Sequence, residues 1–272
     1  MTIRDILVHV DGTEAGKRRI AYAFDLAERH QARLTGVHVT APVDVPPYYK
    51  PSMVEQVATA LEHHALSDAQ ASERLFKAVA STRSTSTLWQ AIEGAMSAAI
   101  CKLARWTDLV VLGQYEWEGA VETHPLSLAE AVAVDCGRPV LVVPAAIGVG
   151  RLHRALVAWD GSREAVRALH DALPLLREAK ATVEVAMIDG EGGGGLEPLF
   201  GHLRRHQIGV EDEVHLPPSG STAGTLVNRL KQGHFDLLIM GAFGHPVWIE
   251  FLFGGTTPSA LFNASTPVLI SH

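Results

Sequence analysis

The sequence predicts a mainly parallel α/β fold that is built twice along the chain. Apolar runs of strand length alternate with helical stretches, and several of these runs recur in the second part of the 272-residue chain. Strands separated by helices form right-handed crossovers, which give a parallel sheet covered by helices on both faces. We therefore expect two tandem doubly wound, Rossmann-like domains at residues 1–148 and 149–272, each with a mainly parallel five-stranded sheet.

The internal repeat rests on three pairs of similar segments. In the first pair, an apolar strand ends in Asp-Gly followed by threonine or serine. In the second pair an apolar run ends at a glycine, and in the third a proline leads into a Val-Leu strand. The pairs are residues 6–13 with 155–162, 107–113 with 235–241, and 138–144 with 266–272. A repeat that spans the whole chain indicates two copies of one domain.

The remaining elements follow in the same order within each copy. A helical stretch comes after the first strand, and a second strand and a weaker third-strand candidate come next. They are helices at 14–30 and 163–178, second strands at 33–40 and 182–188, and third strands at 82–89 and 210–216.

The first copy also contains an insertion, formed by a proline-rich segment at 41–52 and a helical stretch at 53–79. Apolar side chains recur on one face of that helix, namely Val54, Val57, Leu61, Ala65 and Leu66. We expect the helix to cover the core or to pack against a partner, and a ligand lid is the alternative. In the second copy, four glycines at 192–195 indicate a mobile linker on the strand-end side, where it could cover a ligand.

One segment of the second copy has the features of a nucleotide-binding loop. The apolar run 237–240 ends at Gly241, as a buried parallel strand does where it meets a loop. Gly241 and Gly244 allow the backbone to approach a ligand closely, because glycine has no Cβ. Thr257 followed by Pro258 is typical of a helix start, whose free N–H groups favour a phosphate. The alternative is an ordinary loop between strand and helix, since short glycine motifs often occur by chance.

This pattern resembles the Gly-x-x-Gly-(nine residues)-Gly-[Ser/Thr] signature of the nucleotide-binding branch of the universal stress protein family. Gly241, Gly244 and Gly254 match it in identity and spacing. Gly255 stands where that family commonly has serine or threonine, and two threonines follow it. The repeated Asp-Gly-[Ser/Thr] and the closing Pro-Val-Leu strands extend the resemblance over essentially the whole chain, as a tandem of two such domains.

The resemblance implies that the second copy binds ATP, or the related AMP or ADP, with Mg²⁺ as an accompanying ion. Asp160 would hold the nucleoside, although its repetition at Asp11 also fits an Asx-turn or helix-cap residue. Trp159 would form the floor of an adenine pocket or fill the core, and His245 would meet a phosphate. The candidate binding residues are Ala158, Trp159, Asp160, Ile188, Gly241, Gly244, His245, Gly254, Gly255, Thr256 and Thr257, with Met187 as a further strand-end neighbour.

The two copies differ at the phosphate-facing positions of this loop. Gly244 corresponds to Glu116 in the first copy, and the glycine pair 254–255 corresponds to Leu126 and Ser127. A carboxylate and a bulky side chain would therefore replace the glycines that let a phosphate approach the backbone. We expect nucleotide binding to be confined to the second copy.

The closing strands of the two copies, at 140–143 and 268–270, are short and apolar, and each lies at an edge of its predicted sheet. An unpaired apolar edge promotes aggregation unless it is covered. In single-domain members of the resembled family, two subunits pair through this strand. The resemblance therefore implies an intramolecular pseudo-dimer, with the two strands antiparallel about a pseudo-twofold axis. A homodimer through other faces is a further alternative.

Composition and charge argue against several classes of partner and location. A formal net charge of −7 opposes binding to a phosphate backbone, so nucleic acid is not an expected partner. No apolar run reaches the roughly 18 residues that span a bilayer, and charges at Arg4 and Asp5 oppose a signal peptide. Cys101 and Cys136 offer no disulfide framework. We expect a cytoplasmic protein without a membrane span.

Fourteen histidines raise the question of a metal site. His63 and His64 are adjacent on a helix and point apart, and two strand histidines, His9 and His38, do not complete a zinc site. No His-Glu-x-x-His, Gly-x-x-x-x-Gly-Lys-[Ser/Thr] or Gly-x-Ser-x-Gly motif occurs. We therefore name no metal ligand and no catalytic residue.

These observations favour a cytoplasmic stress-response protein that binds an adenine nucleotide in its C-terminal copy and has a regulatory or sensing role. Two alternatives from other classes stay open. One is a hydrolase acting on a nucleotide-linked substrate, assisted by a metal that dispersed histidines hold. The other is an interaction scaffold whose ligand site is vestigial in both copies.

Overall fold

The computed structural model describes residues 2–42, 51–114, 128–148, 150–188, 196–216, 222–242 and 266–272. The strands in these ranges are β1 (Asp5–His9), β2 (Arg33–Thr40), β3 (Thr87–Glu93), β4 (Leu109–Gly113), β5 (Val140–Val143), β6 (Arg154–Trp159), β7 (Thr182–Ile188), β8 (Gly209–Leu216), β9 (Leu237–Gly241) and β10 (Val268–Ser271). The helices are α1 (Glu14–His30), α2 (Pro51–Ala80), α3 (Met96–Ala104), α4 (Leu128–Asp135), α5 (Arg163–Ala179), α6 (Glu197–Arg205) and α7 (Thr222–Gly233).

These strands form one ten-stranded sheet in the order β3-β2-β1-β4-β5-β10-β9-β6-β7-β8. Neighbouring strands are parallel except at the centre, where β5 and β10 run antiparallel. Val142 lies opposite Val268, and Leu141 lies opposite Leu269. The predicted pairing of the closing strands is confirmed, and it joins two five-stranded halves into a continuous sheet.

Each half of the sheet has the same strand order, as the predicted fold class requires. The order reverses between the first and fourth strands of each half, which are β1 and β4 in the first half and β6 and β9 in the second. Doubly wound sheets bind ligands outside the carboxyl ends of their strands at such a reversal. We call these two places the first-half crevice and the second-half crevice. The predicted boundary at 148/149 falls between β5 and β6 and stays a prediction.

The repeat extends to individual hydrogen bonds. The Thr13 and Ser162 side chains each accept a backbone N–H from the first turn of the following helix, α1 or α5, as N-cap residues do. Asp108 and Asp236 stand just before β4 and β9, and each carboxylate accepts two backbone N–H groups at the start of the neighbouring first strand. The same short motifs therefore produce the same local structure in both halves.

Helices cover both faces of the sheet, and two hydrophobic cores result. One core includes buried residues of α1, α2, α5 and α6, among them Phe24, Phe76 and Leu169. The other includes buried residues of α3, α4 and α7, among them Ile100 and Val132. Because strands of both halves contribute to each core, the antiparallel centre is buried on its two sides. No helix in the described ranges is long and apolar enough to cross a membrane.

The third strand of the first half begins later than the sequence indicates. The sequence predicts this strand near 82–89, whereas β3 spans Thr87–Glu93. The hydroxyls of Ser81 and Thr82 donate to backbone carbonyls in the last turn of α2. These polar residues therefore end the helix, and the strand starts after the turn that follows.

Helix α2 covers the core over part of its length. Ser72 and Phe76 are buried against the sheet, whereas Val54, Leu61 and Leu66 are 38%, 42% and 57% exposed. A 30-residue helix is about 45 Å long, well beyond the roughly 26 Å of an eight-residue strand. The predicted core-covering role therefore holds for the C-terminal part of α2, and its N-terminal part extends past the strands it follows.

Candidate functional site

The second-half crevice begins with three residues at the carboxyl end of β6. Ala158 is 2% exposed, and Trp159 is half-buried and packs against the hydrophobic core. Asp160 follows the strand, and its Oδ1 accepts the backbone N–H of Ser162 at 2.9 Å. This is the Asx-turn geometry that the sequence raised as one interpretation of Asp160. Its Oδ2 has no hydrogen-bond partner among the described residues.

Gly241 ends β9 on the other side of the second-half crevice. A Cβ at this position would lie 2.6 Å from the backbone N of Ala165 and 2.6 Å from the backbone C of Glu164. Both atoms belong to the first turn of α5, which therefore packs directly on the end of β9. Close packing between helix and strand requires glycine here, whether or not a ligand also approaches it.

The remaining candidate residues are divided between the described and undescribed parts of the chain. Ile188 is the last residue of β7, the neighbour of β6 in the sheet. The carboxyl ends of three strands thus bring together Ala158, Trp159, Asp160, Ile188 and Gly241. The residues predicted to face the phosphates lie outside the described residues, namely Gly244, His245, Gly254, Gly255, Thr256 and Thr257.

The first-half crevice contains a buried arginine. Arg19 of α1 is 5% exposed; its Nε donates to the His9 carbonyl oxygen at 2.9 Å, and its Nη2 lies 2.6 Å from Asp11 Oδ2. A Cβ on Gly113, at the end of β4, would lie 2.0 Å from Arg19 Nη1. The guanidinium therefore lies between the carboxyl ends of β1 and β4, where the strand order reverses.

Electrostatics in the first-half crevice follow from this arginine. Burial raises the pKa of Asp11, but the Arg19 charge and the hydrogen bonds from Thr13 and Arg19 outweigh it and lower the pKa below its usual value. Burial, and after it the Arg19 charge, lower the pKa of His9 to about 4. The first-half crevice therefore holds an ionised carboxylate bound to a cation, with a neutral imidazole beside them.

His9 should make the protein sensitive to acid. The pKa of its ring is 6.5 in the unfolded chain and about 4 in the fold, so the unfolded state binds the proton more tightly. The stability that His9 contributes is complete above pH 6.5 and is lost as the pH falls towards 4, by about 2–3 kcal/mol. We expect His9→Leu to remove this part of the pH dependence, measured by urea unfolding of both proteins at pH 7 and pH 4. Equal pH dependence in the two proteins would show that the ring is not buried neutral.

Metal ligands and reactive thiols do not converge in the part of the chain that the structure describes. No group of three or more histidine, cysteine or acidic side chains there could hold a metal ion. His38 Nδ1 lies 3.1 Å from the Val10 carbonyl oxygen. Cys101 and Cys136 are buried free thiols, and burial raises the pKa of Cys101 to about 11, as expected for a small apolar side chain in a core.

The family model of the universal stress proteins matches residues 2–144, which is more than half of the chain. The chain belongs to the universal stress protein family. A search of curated proteins found no significant match. The fold and the repeated strand order described above agree with this assignment.

Two solved structures share the fold over nearly the whole chain, and the first of them is a universal stress protein. One from Archaeoglobus fulgidus is 16% identical, with a TM-score of 0.70 over 98% of this chain and 97% of that one. A functionally unknown protein from Pseudomonas aeruginosa is 12% identical, with a TM-score of 0.50 over 99% of this chain and 92% of that one. A second Archaeoglobus fulgidus universal stress protein, in complex with dAMP, is 15% identical and covers 52% of this chain and 98% of its own, with a TM-score of 0.35.

Arg19 is a crevice residue that the sequence motifs do not single out. Its signal is present in the repeat, because aligning α1 with α5 through Asp11 and Asp160 places Arg19 opposite Ala168. Arg19 also lies on the buried face of α1, next to Ile20. An arginine on the apolar face of an amphipathic helix needs a buried partner, and here the partner is Asp11.

Proposed function

We propose that this universal stress protein binds an adenine nucleotide, ATP or its relatives AMP and ADP, in its C-terminal half. Its role is regulatory or sensing, in the cytoplasmic response to stress. Membership of the family and the crevice beside β6 and β9 support the proposal. Mg²⁺ would accompany a bound triphosphate.

The proposal rests on a difference in ion pairing between the two repeated aspartates. Asp11 is held by Arg19 at 2.6 Å, whereas no cation pairs with Asp160 among the described residues. A carboxylate oxygen at the mouth of a switch-point crevice is a suitable acceptor for ribose hydroxyls. The second half therefore offers a nucleoside an acceptor that the first half has already used.

The other candidate residues would complete the site around Asp160. Ala158 leaves room beside the nucleoside, and Trp159 and Ile188 supply apolar surface for the base. The backbone beyond Gly241 would hold the phosphates, through the segment that carries Gly244, His245, Gly254, Gly255, Thr256 and Thr257. Backbone N–H groups of a glycine loop and a helix N-terminus suit this task.

Replacing Asp160 tests the proposal. Asp160→Asn keeps an acceptor for the Ser162 N–H and removes the charge, and Asp160→Ala removes both. Loss of a hydrogen bond to a charged group costs about 1.5–3 kcal/mol, so we expect Asp160→Ala to bind AMP about 10- to 100-fold more weakly, with Asp160→Asn between it and wild type. Isothermal titration calorimetry of the full chain, freed of bound nucleotide, measures this.

Asp11→Asn is the matched control for the titration, because Asp11 has the same place in the first half. It should leave the affinity for AMP unchanged. The second-half site would be ruled out if folded Asp160→Ala bound AMP as wild type does, or if an equally well-folded Asp11→Asn variant weakened binding as much as Asp160→Ala. Mass spectrometry of small molecules released from the purified protein would identify the nucleotide bound in the cell.

A further inference from the structure

We propose that Arg19 is a built-in occupant of the first-half crevice and that it keeps this half from binding a nucleoside. The inference rests on the proposed function, because it takes an adenine nucleoside as the ligand of the crevice in the other half. It assigns the difference between the halves to one side chain of α1, in addition to the glycine differences in the loop.

The first step is the position of the guanidinium. Its contacts are with His9 and Asp11 at the end of β1 and with Gly113 at the end of β4. These two strands flank the reversal of the strand order, which is where a doubly wound sheet accepts a ligand. Arg19 therefore occupies the ligand position of its own half.

The second step is that this occupant is firmly held. Arg19 is 5% exposed and donates to a backbone carbonyl and to a carboxylate at once. A nucleoside would have to displace the guanidinium from Asp11 and leave a buried cation without its partner, which is strongly unfavourable. A free ligand also gives up translational entropy on binding, whereas a tethered side chain does not. The Arg19 guanidinium is therefore expected to bind Asp11 in preference to a nucleoside.

The third step is the comparison with the second half. Ala168 has the place of Arg19 in α5 and is fully buried. Its side chain ends at Cβ, so it cannot extend to Asp160. The same helix position thus fills one crevice with a cation and leaves the other carboxylate available.

Photo-crosslinking of the full chain tests the role of Arg19. Wild type and variants are irradiated with 8-azidoadenosine, which lacks phosphates and so avoids the differences in the phosphate loop. Labelled peptides are then assigned to the first or second half by mass spectrometry, with excess adenosine as competitor. Arg19→Ala empties the crevice, and Arg19→Gln removes the charge and keeps a donor for the His9 carbonyl, in case the alanine variant does not fold.

We expect wild type to be labelled in the second half and both Arg19 variants to be labelled in both halves. The rise in competed labelling of the first half should be about tenfold or more, because apparent affinity scales with the fraction of molecules whose site is open. Arg18→Ala is the control; Arg18 is an exposed neighbour whose Nε donates to the Ala145 carbonyl, and its loss should give the wild-type pattern.

The other outcomes separate the role of Arg19 from nucleoside binding in the second half. Labelling of the second half alone in a folded Arg19 variant overturns the role of Arg19 and leaves the proposed function standing. Labelling of the first half in wild type also overturns it. Labelling confined to the first half of the Arg19 variants supports the role of Arg19 and refutes nucleoside binding in the second half. Folded proteins with no competed labelling anywhere overturn both.

Discussion

Glu184→Ala should lower the free energy of unfolding by about 3 kcal/mol, because it removes the buried carboxylate that two partly buried guanidinium groups pair with. The Glu184 side chain, on β7, is 1% exposed, and Arg229 of α7 donates to both of its carboxylate oxygens. Arg154 Nη2 lies 3.5 Å from Glu184 Oε2. Both arginines are about one-third exposed and regain some water in the variant, which keeps the effect near the lower end of the range for buried ion pairs.

Urea unfolding at pH 7 measures this loss, with Glu211→Ala as the matched control. Glu211 also pairs with Arg154, but its side chain is 37% exposed, so its loss should cost under about 1 kcal/mol. The double variant Glu184→Leu/Arg229→Leu should recover most of the stability, because apolar residues of similar size can replace a buried ion pair. If Glu184→Ala and Glu211→Ala were equally mild, the buried pair would not contribute to stability.

Gly241→Val should cost about 3 kcal/mol of folding stability, the upper part of the range for overpacking a core. The new side chain meets backbone atoms of Glu164 and Ala165 in the first turn of α5. A flexible neighbour could move aside, but a helix turn cannot move without shifting α5 on the sheet. Thermal or urea unfolding of the full chain measures the effect.

Gly12→Ala is the control for Gly241→Val. A Cβ at Gly12 meets no other atom within 4 Å, so this variant should unfold like wild type to within about 0.5 kcal/mol. Wild-type stability in Gly241→Val would mean that α5 does not pack on the end of β9. In that case the close approach of a ligand, rather than helix packing, would explain the glycine at this position.

The sequence determined the fold class, the repeat and the bounds of several elements. Helix α1 at Glu14–His30 and strands β2 and β7 have the predicted bounds, because their periodic apolar patterns and caps are local features. The pairing of β5 with β10 follows from the family resemblance together with the rule that an apolar edge strand needs a partner. Local patterns predict the start of β3 wrongly, because they assign to the strand the hydroxyl residues that end α2.

The sequence also named the strand ends where the candidate site lies. It places Ala158, Trp159 and Asp160 at the carboxyl end of the first strand of the second half, and Gly241 at the end of the fourth. Parallel strands bring such ends to one edge of a sheet whatever their separation along the chain. What the sequence left undecided was whether Asp160 serves the turn, a ligand or both.

Tertiary structure alone decided how the two crevices differ. Arg19 and Asp11 are close in sequence, but their meeting between β1 and β4 depends on how α1 packs on the sheet. The same holds for Gly241 beneath α5 and for Glu184 beneath α7. A residue pattern shows which side chains face a core, whereas the partner that a buried charge or a glycine meets depends on the packing of elements distant in sequence.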